Sequence, residues 1–287
     1  MPSLKDIRKR IGSVKNTQQI TKAMKMVAAA RLRKAQEATE TARPYSYRLR
    51  DVIAQLAARA DFSDHPLLEQ REPKRVHLLI MTSDRGLCGG FNAGINRATE
   101  RYLRENPRGH EEVTLDVVGR KGHEYFKRRE TPIGSYHREI LNNVTLESAS
   151  DIAEKAIVSF VEGDLDALYV VYNEFKSAIS QEVVIEQLLP VAPAVPEGGG
   201  ELAEFIYEPS KEQVMDAVLP RHITVQIYRM LLESVASEMG ARMSAMDSAT
   251  KNAGELIDRL TLQYNRARQA NITKELMEII GGAEALS

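Results

Sequence analysis

Both ends of this chain have the pattern of long helices that lack an ordinary hydrophobic face. Residues 3–43 contain no proline and one glycine, and residues 246–286, about the last forty of the chain, contain no proline and three glycines. Both stretches are polar and rich in alanine, so neither has the apolar surface needed for burial in the core of one domain. We therefore expect the two ends to pack on each other and inside another molecule, as a shaft or an adaptor would.

The N-terminal stretch carries a narrow apolar stripe. Its members follow one another at steps of three and four residues, the period of an amphipathic helix: Leu4, Ile7, Ile11 and Val14. Ser3 is placed to cap the start of this helix. Pro44 is expected to interrupt it, and a further helical segment is predicted for residues 45–60.

The C-terminal stretch is longer than a helix of an ordinary globular domain. Residues 221–280 would span roughly 90 Å at the α-helical rise of about 1.5 Å per residue. Pro220 is expected either to break this helix or to begin it. A heptad seam typical of a left-handed coiled coil runs through Met239, Met243, Met246, Thr250, Ala253, Ile257, Leu260, Tyr264 and Ala267. Its small side chains favour close contact with a second helix, and the N-terminal helix is the expected partner.

The central part of the chain has a different hydrophobic period. Short apolar runs predict strands at Val76–Met81, Val113–Val118, Leu168–Tyr172, Val183–Leu189 and Phe205–Tyr207. Helical segments are predicted at Phe91–Glu105 and Ser150–Val161, and residues 61–73 are predicted to form a polar linker. Alternating strands and helices indicate a Rossmann-like α/β domain around a largely parallel sheet.

The net charge of −1 hides an uneven distribution. Residues 1–36 contain ten lysines and arginines against one acidic residue, Asp6, which gives this segment a charge of +9 and leaves −10 on residues 37–287. Such a basic arm suits nucleic acid, an anionic membrane surface or acidic protein loops, although a solvated helix face carries similar charge. A nucleic-acid-binding protein is therefore one alternative, against which the scarcity of aromatic residues and the acidic remainder count.

The chain offers few candidates for catalysis. The segment Ser83–Asn92 lies between a predicted strand and a predicted helix, where α/β proteins bind phosphates, yet its glycines match neither common phosphate-binding motif. The six histidines lack metal-site spacing, no carboxylate pair indicates acid–base catalysis, and the single cysteine, Cys88, excludes an internal disulfide. We expect no catalytic residue, no cofactor, no metal and no membrane span. The second alternative function is a nucleotide-dependent enzyme built on the α/β domain.

Five segments resemble, in order along the chain, the gamma subunits of bacterial F-type ATP synthases. They are Leu4–Ile11, Asn16–Ala30, Ser83–Asn92, Met246–Ala253 and Leu262–Leu276. The resemblance implies a central rotor stalk whose terminal helices form a long antiparallel coiled coil. It divides the chain into an N-terminal shaft helix at 1–60, an α/β foot domain at 74–208 and a C-terminal shaft helix at 209–287.

The resemblance also implies the partners of such a stalk. Three alpha and three beta subunits would surround the coiled coil, and the epsilon subunit and the membrane c ring would bind the foot, at the cytoplasmic face of the bacterial inner membrane. Proton flow would turn the c ring and the shaft, which would force each beta subunit through successive nucleotide states. Contacts with an acidic lever loop of beta are implied for Met24 and Lys25, and contacts with a second loop of beta for Arg268, Gln269 and Thr273.

Overall fold

The structure is a computed structural model that describes residues 3–57, 65–177, 180–192 and 210–284. Its helices are α1 (Leu4–Ala57), α2 (Phe91–Glu105), α3 (Arg120–Lys127), α4 (Leu146–Val161) and α5 (Lys211–Glu284). Its strands are β1 (Arg75–Met81), β2 (Glu112–Val118), β3 (Ile133–His137), β4 (Ala167–Phe175) and β5 (Gln181–Leu189). Short 3₁₀ helices occupy Pro66–Leu68 and Ile140–Asn142. The strand expected at Phe205–Tyr207 lies outside the described residues.

Helix α1 begins with a reciprocal cap and continues through a proline. The Ser3 hydroxyl oxygen accepts a hydrogen bond from the backbone N–H of Asp6, and Asp6 Oδ2 accepts the backbone N–H of Ser3, both at 3.2 Å. The expected interruption at Pro44 is wrong, since Pro44 lies inside one helix of 54 residues. Proline removes a helical hydrogen bond, but Leu49 and Ile53 pack into the hydrophobic core beyond it and hold the helix in place.

Helix α5 also passes through a proline. Pro220 neither breaks the helix nor begins it, because the helix of 74 residues already starts at Lys211. Residues on both sides of this proline are buried, including Met215, Leu219 and Ile223. Packing on both sides therefore outweighs the loss of one backbone hydrogen bond.

The five strands form one sheet in the order β3-β2-β1-β4-β5. The first four strands are parallel, and β5 pairs antiparallel with β4 at the edge. At the centre, Leu78 of β1 lies between Leu115 of β2 and Tyr169 of β4, and all three are buried. The prediction of an α/β fold around a largely parallel sheet is confirmed.

Helices cover both faces of this sheet, as its buried apolar strands require. On one face the core contains Phe91 and Ile95 of α2 together with Phe126 of α3. On the other face it contains Ile152 and Phe160 of α4 and a buried stretch of α5. The sheet is therefore the middle layer of a three-layer domain.

Compared with the elements predicted from the sequence, the structure contains an additional helix and an additional strand, and one helix is longer. Helix α4 begins at Leu146 rather than at Ser150, because Thr145 caps it by accepting the backbone N–H of Ser148 at 3.1 Å. Neither α3 nor β3 was predicted. Helix α3 has only eight residues, and β3 has no continuous apolar run, so both lack the pattern on which sequence prediction depends.

The expected polar linker at 61–73 is partly core, and the part from residue 65 onwards is described. Leu67 and Leu68 are 1% and 2% exposed and pack into the α4 side of the core. His65 caps their short helix, since its Nδ1 accepts the backbone N–H of Leu67 at 3.1 Å. The polar composition of the segment concealed these two anchoring leucines.

Residue contacts divide the chain into two compact units. The paired-helix unit consists of Met1–Ala28 and Met243–Ser287, and the sheet unit consists of Ala29–Arg242. Within the described ranges, no helix combines the length and the hydropathy that crossing a membrane requires.

Candidate functional site

The paired-helix unit is an antiparallel pair of helices. Three pairs of facing residues join α1 to α5: Lys25 with Asp247, Thr21 with Thr250, and Gln18 with Gly254. Lys25 Nζ donates to Asp247 Oδ1 at 2.6 Å, and the hydroxyl oxygens of Thr21 and Thr250 lie 2.8 Å apart. Residue numbers fall along α1 as they rise along α5, so the two helices run in opposite directions.

Buried residues recur at multiples of seven positions on both helices. None is more than 8% exposed: Ile7, Thr21 and Ala28 on α1, and Met246, Ala253 and Leu260 on α5. The heptad seam expected on the C-terminal helix is therefore its contact surface with α1. The seam is narrow and contains small residues, and a Cβ on Gly254 would lie 3.1 Å from Gln18 Nε2. The two backbones thus approach each other closely.

Met24 and Lys25 lie half-buried on α1. Lys25 is bonded to Asp247, which also pairs with Lys251 at 3.0 Å. Hydrogen bonds from Lys25 and then Lys251 hold the pKa of the Asp247 carboxyl below its usual value. An ammonium group has three N–H donors, so Lys25 can bind Asp247 and a further acceptor at the same time.

An exposed apolar strip lies beside Met24. Ile20, Met26 and Val27 are 60%, 60% and 56% exposed. Large apolar side chains on neighbouring turns of a solvated helix mark a surface suited to contact with another protein. The sequence pattern favoured seam packing for Met26 and Val27 and did not single out Ile20, so the exposure of all three corrects that expectation.

Arg268, Gln269 and Thr273 lie at exposed positions near the end of α5. Continuing the register of the Lys25–Asp247 pair along both helices places Leu4, where α1 begins, level with Arg268. Residues 269–284 of α5 therefore extend past the end of their partner helix, over roughly 24 Å at the α-helical rise.

This unpaired end of α5 exposes large apolar side chains. They are Ile272, Leu276, Met277, Ile279 and Ile280, with exposed fractions between 49% and 71%. Gln269 and Thr273 lie in this unpaired end and Arg268 directly precedes it, whereas Met24 lies level with about residue 248, roughly 30 Å away along the helix axis. The predicted contact residues thus form two separate regions.

The segment Ser83–Asn92 comprises a braced loop after β1 and the first two residues of α2. The backbone N–H of Ser83 donates to Asn92 Oδ1 at 2.9 Å, and Arg242 of α5 donates to the Gly86 carbonyl at 3.2 Å. Cys88 is buried, and burial raises the pKa of its thiol, which disfavours a reactive thiolate. These contacts hold the loop to the rest of the sheet unit.

Comparison with known proteins gives a uniform result. A family model described as ATP synthase matches residues 3–286. The ATP synthase gamma chain of Anaeromyxobacter sp. (strain Fw109-5) is 53% identical over 289 residues, with 100% of both chains covered. The ATP synthase gamma chain of Geobacter metallireducens is 51% identical over 286 residues, which cover 100% of this chain and 99% of that one.

Solved structures agree with this result. A chain from the central stalk and c ring of Tetrahymena thermophila mitochondrial ATP synthase is 28% identical with a TM-score of 0.61, covering 80% of this chain and 99% of that one. A chain of Euglena gracilis mitochondrial ATP synthase shares the fold, with 23% identity, a TM-score of 0.72 and coverage of 99% and 94%. The chain therefore belongs to the ATP synthase gamma-chain family and is a non-catalytic, central-stalk subunit of that complex.

Proposed function

We propose that the antiparallel helix pair turns as a shaft inside a ring of three alpha and three beta subunits. Rotation of the c ring would turn the shaft, and the shaft would drive conformational changes at the catalytic sites of beta. The observation that carries this proposal is the unpaired end of α5, where five large apolar side chains are at least 49% exposed. An apolar surface of this kind is better suited to contact with a surrounding protein than to contact with water.

The asymmetry of the shaft supports a role in ordering three otherwise equal sites. One side of the pair exposes the apolar strip around Val27, and at the far end α5 continues alone. Each beta subunit would therefore meet a different surface at any moment. Differential contacts of a few kcal/mol are enough to bias which conformation each subunit adopts.

We propose two contact regions with beta. Met24 and Lys25 would meet the acidic lever loop, which suits the charge of +9 on residues 1–36. Arg268, Gln269 and Thr273 would meet a second loop farther along the shaft. The separation of the two regions by roughly 30 Å supports contact with two different parts of the ring.

We propose that residues 74–208 form the foot, and that residues 1–60 and 209–287 form the shaft, whose described parts at 29–57 and 211–242 belong to the sheet unit. The foot would bind the epsilon subunit and the c ring, which would place the chain as a peripheral subunit at the cytoplasmic face of the bacterial inner membrane. In the Tetrahymena structure a similar chain occurs together with the central stalk and the c ring, and this association supports the arrangement. The nucleic-acid-binding alternative receives no support from any of these relatives.

Reconstitution tests this function. Purified alpha and beta subunits are assayed for ATP hydrolysis alone, with this chain, and with an unrelated basic coiled coil of similar length as the control. We expect one chain for each three alpha and three beta subunits, and a large gain in turnover that the control does not give. A label on the sheet unit should then rotate in one direction while ATP is hydrolysed. If the chain neither bound the alpha and beta subunits nor increased their turnover, the proposal would be contradicted.

A further inference from the structure

A groove lies beside α4 in the sheet unit, and none of the proposed contact residues for beta lines it. It has a volume of about 550 Å³, with β2 and β3 in its floor and α4 as its side wall. This volume falls within the range of pockets that bind small organic groups. Its polar side is made by His77, Asp116, Ser135 and His137, and its apolar side includes Leu79 and Ile152.

Asp116 organises the polar side of the groove. Its Oδ2 accepts a hydrogen bond from His77 Nδ1 at 2.8 Å, and its Oδ1 accepts the Ser135 hydroxyl at 2.6 Å. The Ser135 hydroxyl donates its only proton to Asp116. His137 Nε2, which lies 3.1 Å from the Ser135 oxygen, must therefore be the donor in the hydrogen bond between these two residues. In the neutral rings, His77 Nε2 and His137 Nδ1 are therefore hydrogen-bond acceptors.

The charge of the groove is negative. Burial alone would raise the pKa of Asp116, but hydrogen bonds from His77 and Ser135 bring it below its usual value, so the carboxyl is ionised. Burial, assisted by Lys155, lowers the pKa of His137 and keeps that ring neutral. Apart from the imidazoles, the charged lining residues are two carboxylates, Asp116 and Glu154, and one ammonium, Lys155, which together carry a net charge of −1.

The Asp116 carboxylate is accessible to a ligand. Its side chain is 16% exposed, and each oxygen keeps a lone pair beyond the one already used. Gly134 in the floor keeps this path open, because a Cβ there would lie 3.2 Å from Asp116 Oδ1. The groove therefore combines an accessible negative charge, hydrogen-bond acceptors and an apolar wall.

We propose that this groove binds one organic cation, an ammonium, guanidinium or amidinium group on an apolar stem. Asp116 is the counter-ion, the imidazole nitrogens of His77 and His137 accept hydrogen bonds, and the stem packs on the apolar side that includes Ile152. The cation is either a free amine or a lysine or arginine side chain of another subunit. This site does not depend on the proposed rotation.

Benzamidine, a small amidinium with an apolar ring, is the probe for the full-length chain. Its binding is followed by the NMR shifts of the His77 and His137 ring protons. For a ligand of this size we expect a dissociation constant of about 1 mM. Val158→Lys would place a tethered ammonium at the groove and weaken binding at least about tenfold, whereas Val161→Lys should leave it unchanged. Both valines are 49% exposed on α4, but only Val158 lines the groove.

A second variant, Asp116→Asn, removes the counter-ion and should also abolish the shifts. Equal binding by the wild type, Val158→Lys and Asp116→Asn, or no response of the two histidine rings, would overturn the proposal. The same titration in the assembled complex distinguishes the two sources of the cation. Binding to the free chain but not to the complex identifies a side chain of a partner subunit, and binding to both identifies a free ligand.

Discussion

Lys25 Nζ lies 2.6 Å from Asp247 Oδ1, and this contact between α1 and α5 sets their register in the paired-helix unit. The same ammonium group is proposed to approach an acidic loop of beta. Asp247 and that loop would therefore share one cation. The shaft thus carries a partly neutralised charge at the place where a strong ion pair would hinder rotation.

Asp247→Asn should free Lys25 to bind the acidic loop more tightly. We expect lower ATPase turnover in the reconstituted complex at low ionic strength, with recovery as added salt screens the new ion pair. Turnover is measured against salt concentration. The double variant Lys25→Met with Asp247→Asn is the control and should show no such dependence. A similar response of both variants would remove Lys25 from the contact.

Arg268→Ala combined with Gln269→Ala should impair the coupled ATPase. Both side chains are exposed where α5 passes beyond α1, so their loss should affect contact with beta rather than folding. We expect turnover to fall about tenfold, equivalent to about 1.4 kcal/mol of the activation barrier. The matched control is Arg259→Ala with Gln263→Ala, an exposed pair within the two-helix region of α5. Equal turnover of the two double variants would refute the assignment.

Gly119→Ala should destabilise the sheet unit severely. Gly119 has a φ of +88°, and a Cβ there would overlap the Thr82 carbonyl oxygen, which belongs to fixed backbone. We expect a loss of about 3 kcal/mol or more in the free energy of unfolding, measured by urea denaturation. Gly109→Ala is the control for the cost of a positive φ without a steric clash, since φ of Gly109 is +68° and a Cβ there would meet nothing within 4 Å. That control should lose only about 1 kcal/mol.

His222 should make the protein sensitive to mild acid. Burial, followed by the charge of Arg229, lowers the pKa of His222 to about 4 from 6.5. The unfolded chain therefore binds a proton at His222 at a higher pH than the folded chain does. The contribution of neutral His222 to the free energy of unfolding is complete above pH 6.5 and is lost as the pH falls towards 4. From pH 7 to pH 5 the loss from this group is about 2 kcal/mol.

His222→Leu removes this titration. Urea unfolding at pH 7 and pH 5 should show a smaller loss on acidification for His222→Leu than for the wild type. His123→Leu, at a half-exposed ring that stacks on Tyr136, serves as the control and should keep the wild-type pH dependence. An identical pH dependence in His222→Leu would show that other groups cause the acid response.

The predictions that succeeded rested on local pattern. The apolar run at Val76–Met81 gave β1 almost to the residue, and the bounds of α2 at Phe91–Glu105 were predicted correctly. The heptad seam through Met246, Ala253 and Leu260 marked the buried side of α5. Each of these signals repeats over successive strand positions or helical turns, so it is visible without knowledge of the rest of the fold.

Local pattern by itself determined that the chain has polar, alanine-rich helical ends, an α/β centre and little equipment for catalysis. Tertiary structure decided the continuity of α1 through Pro44 and of α5 through Pro220, because packing on both sides outweighs one lost hydrogen bond. It also brought His77, Asp116 and Ser135 into one network from three strands. Contacts between residues far apart in the chain produce no periodic pattern in the amino-acid sequence, so only the folded chain shows which residues meet.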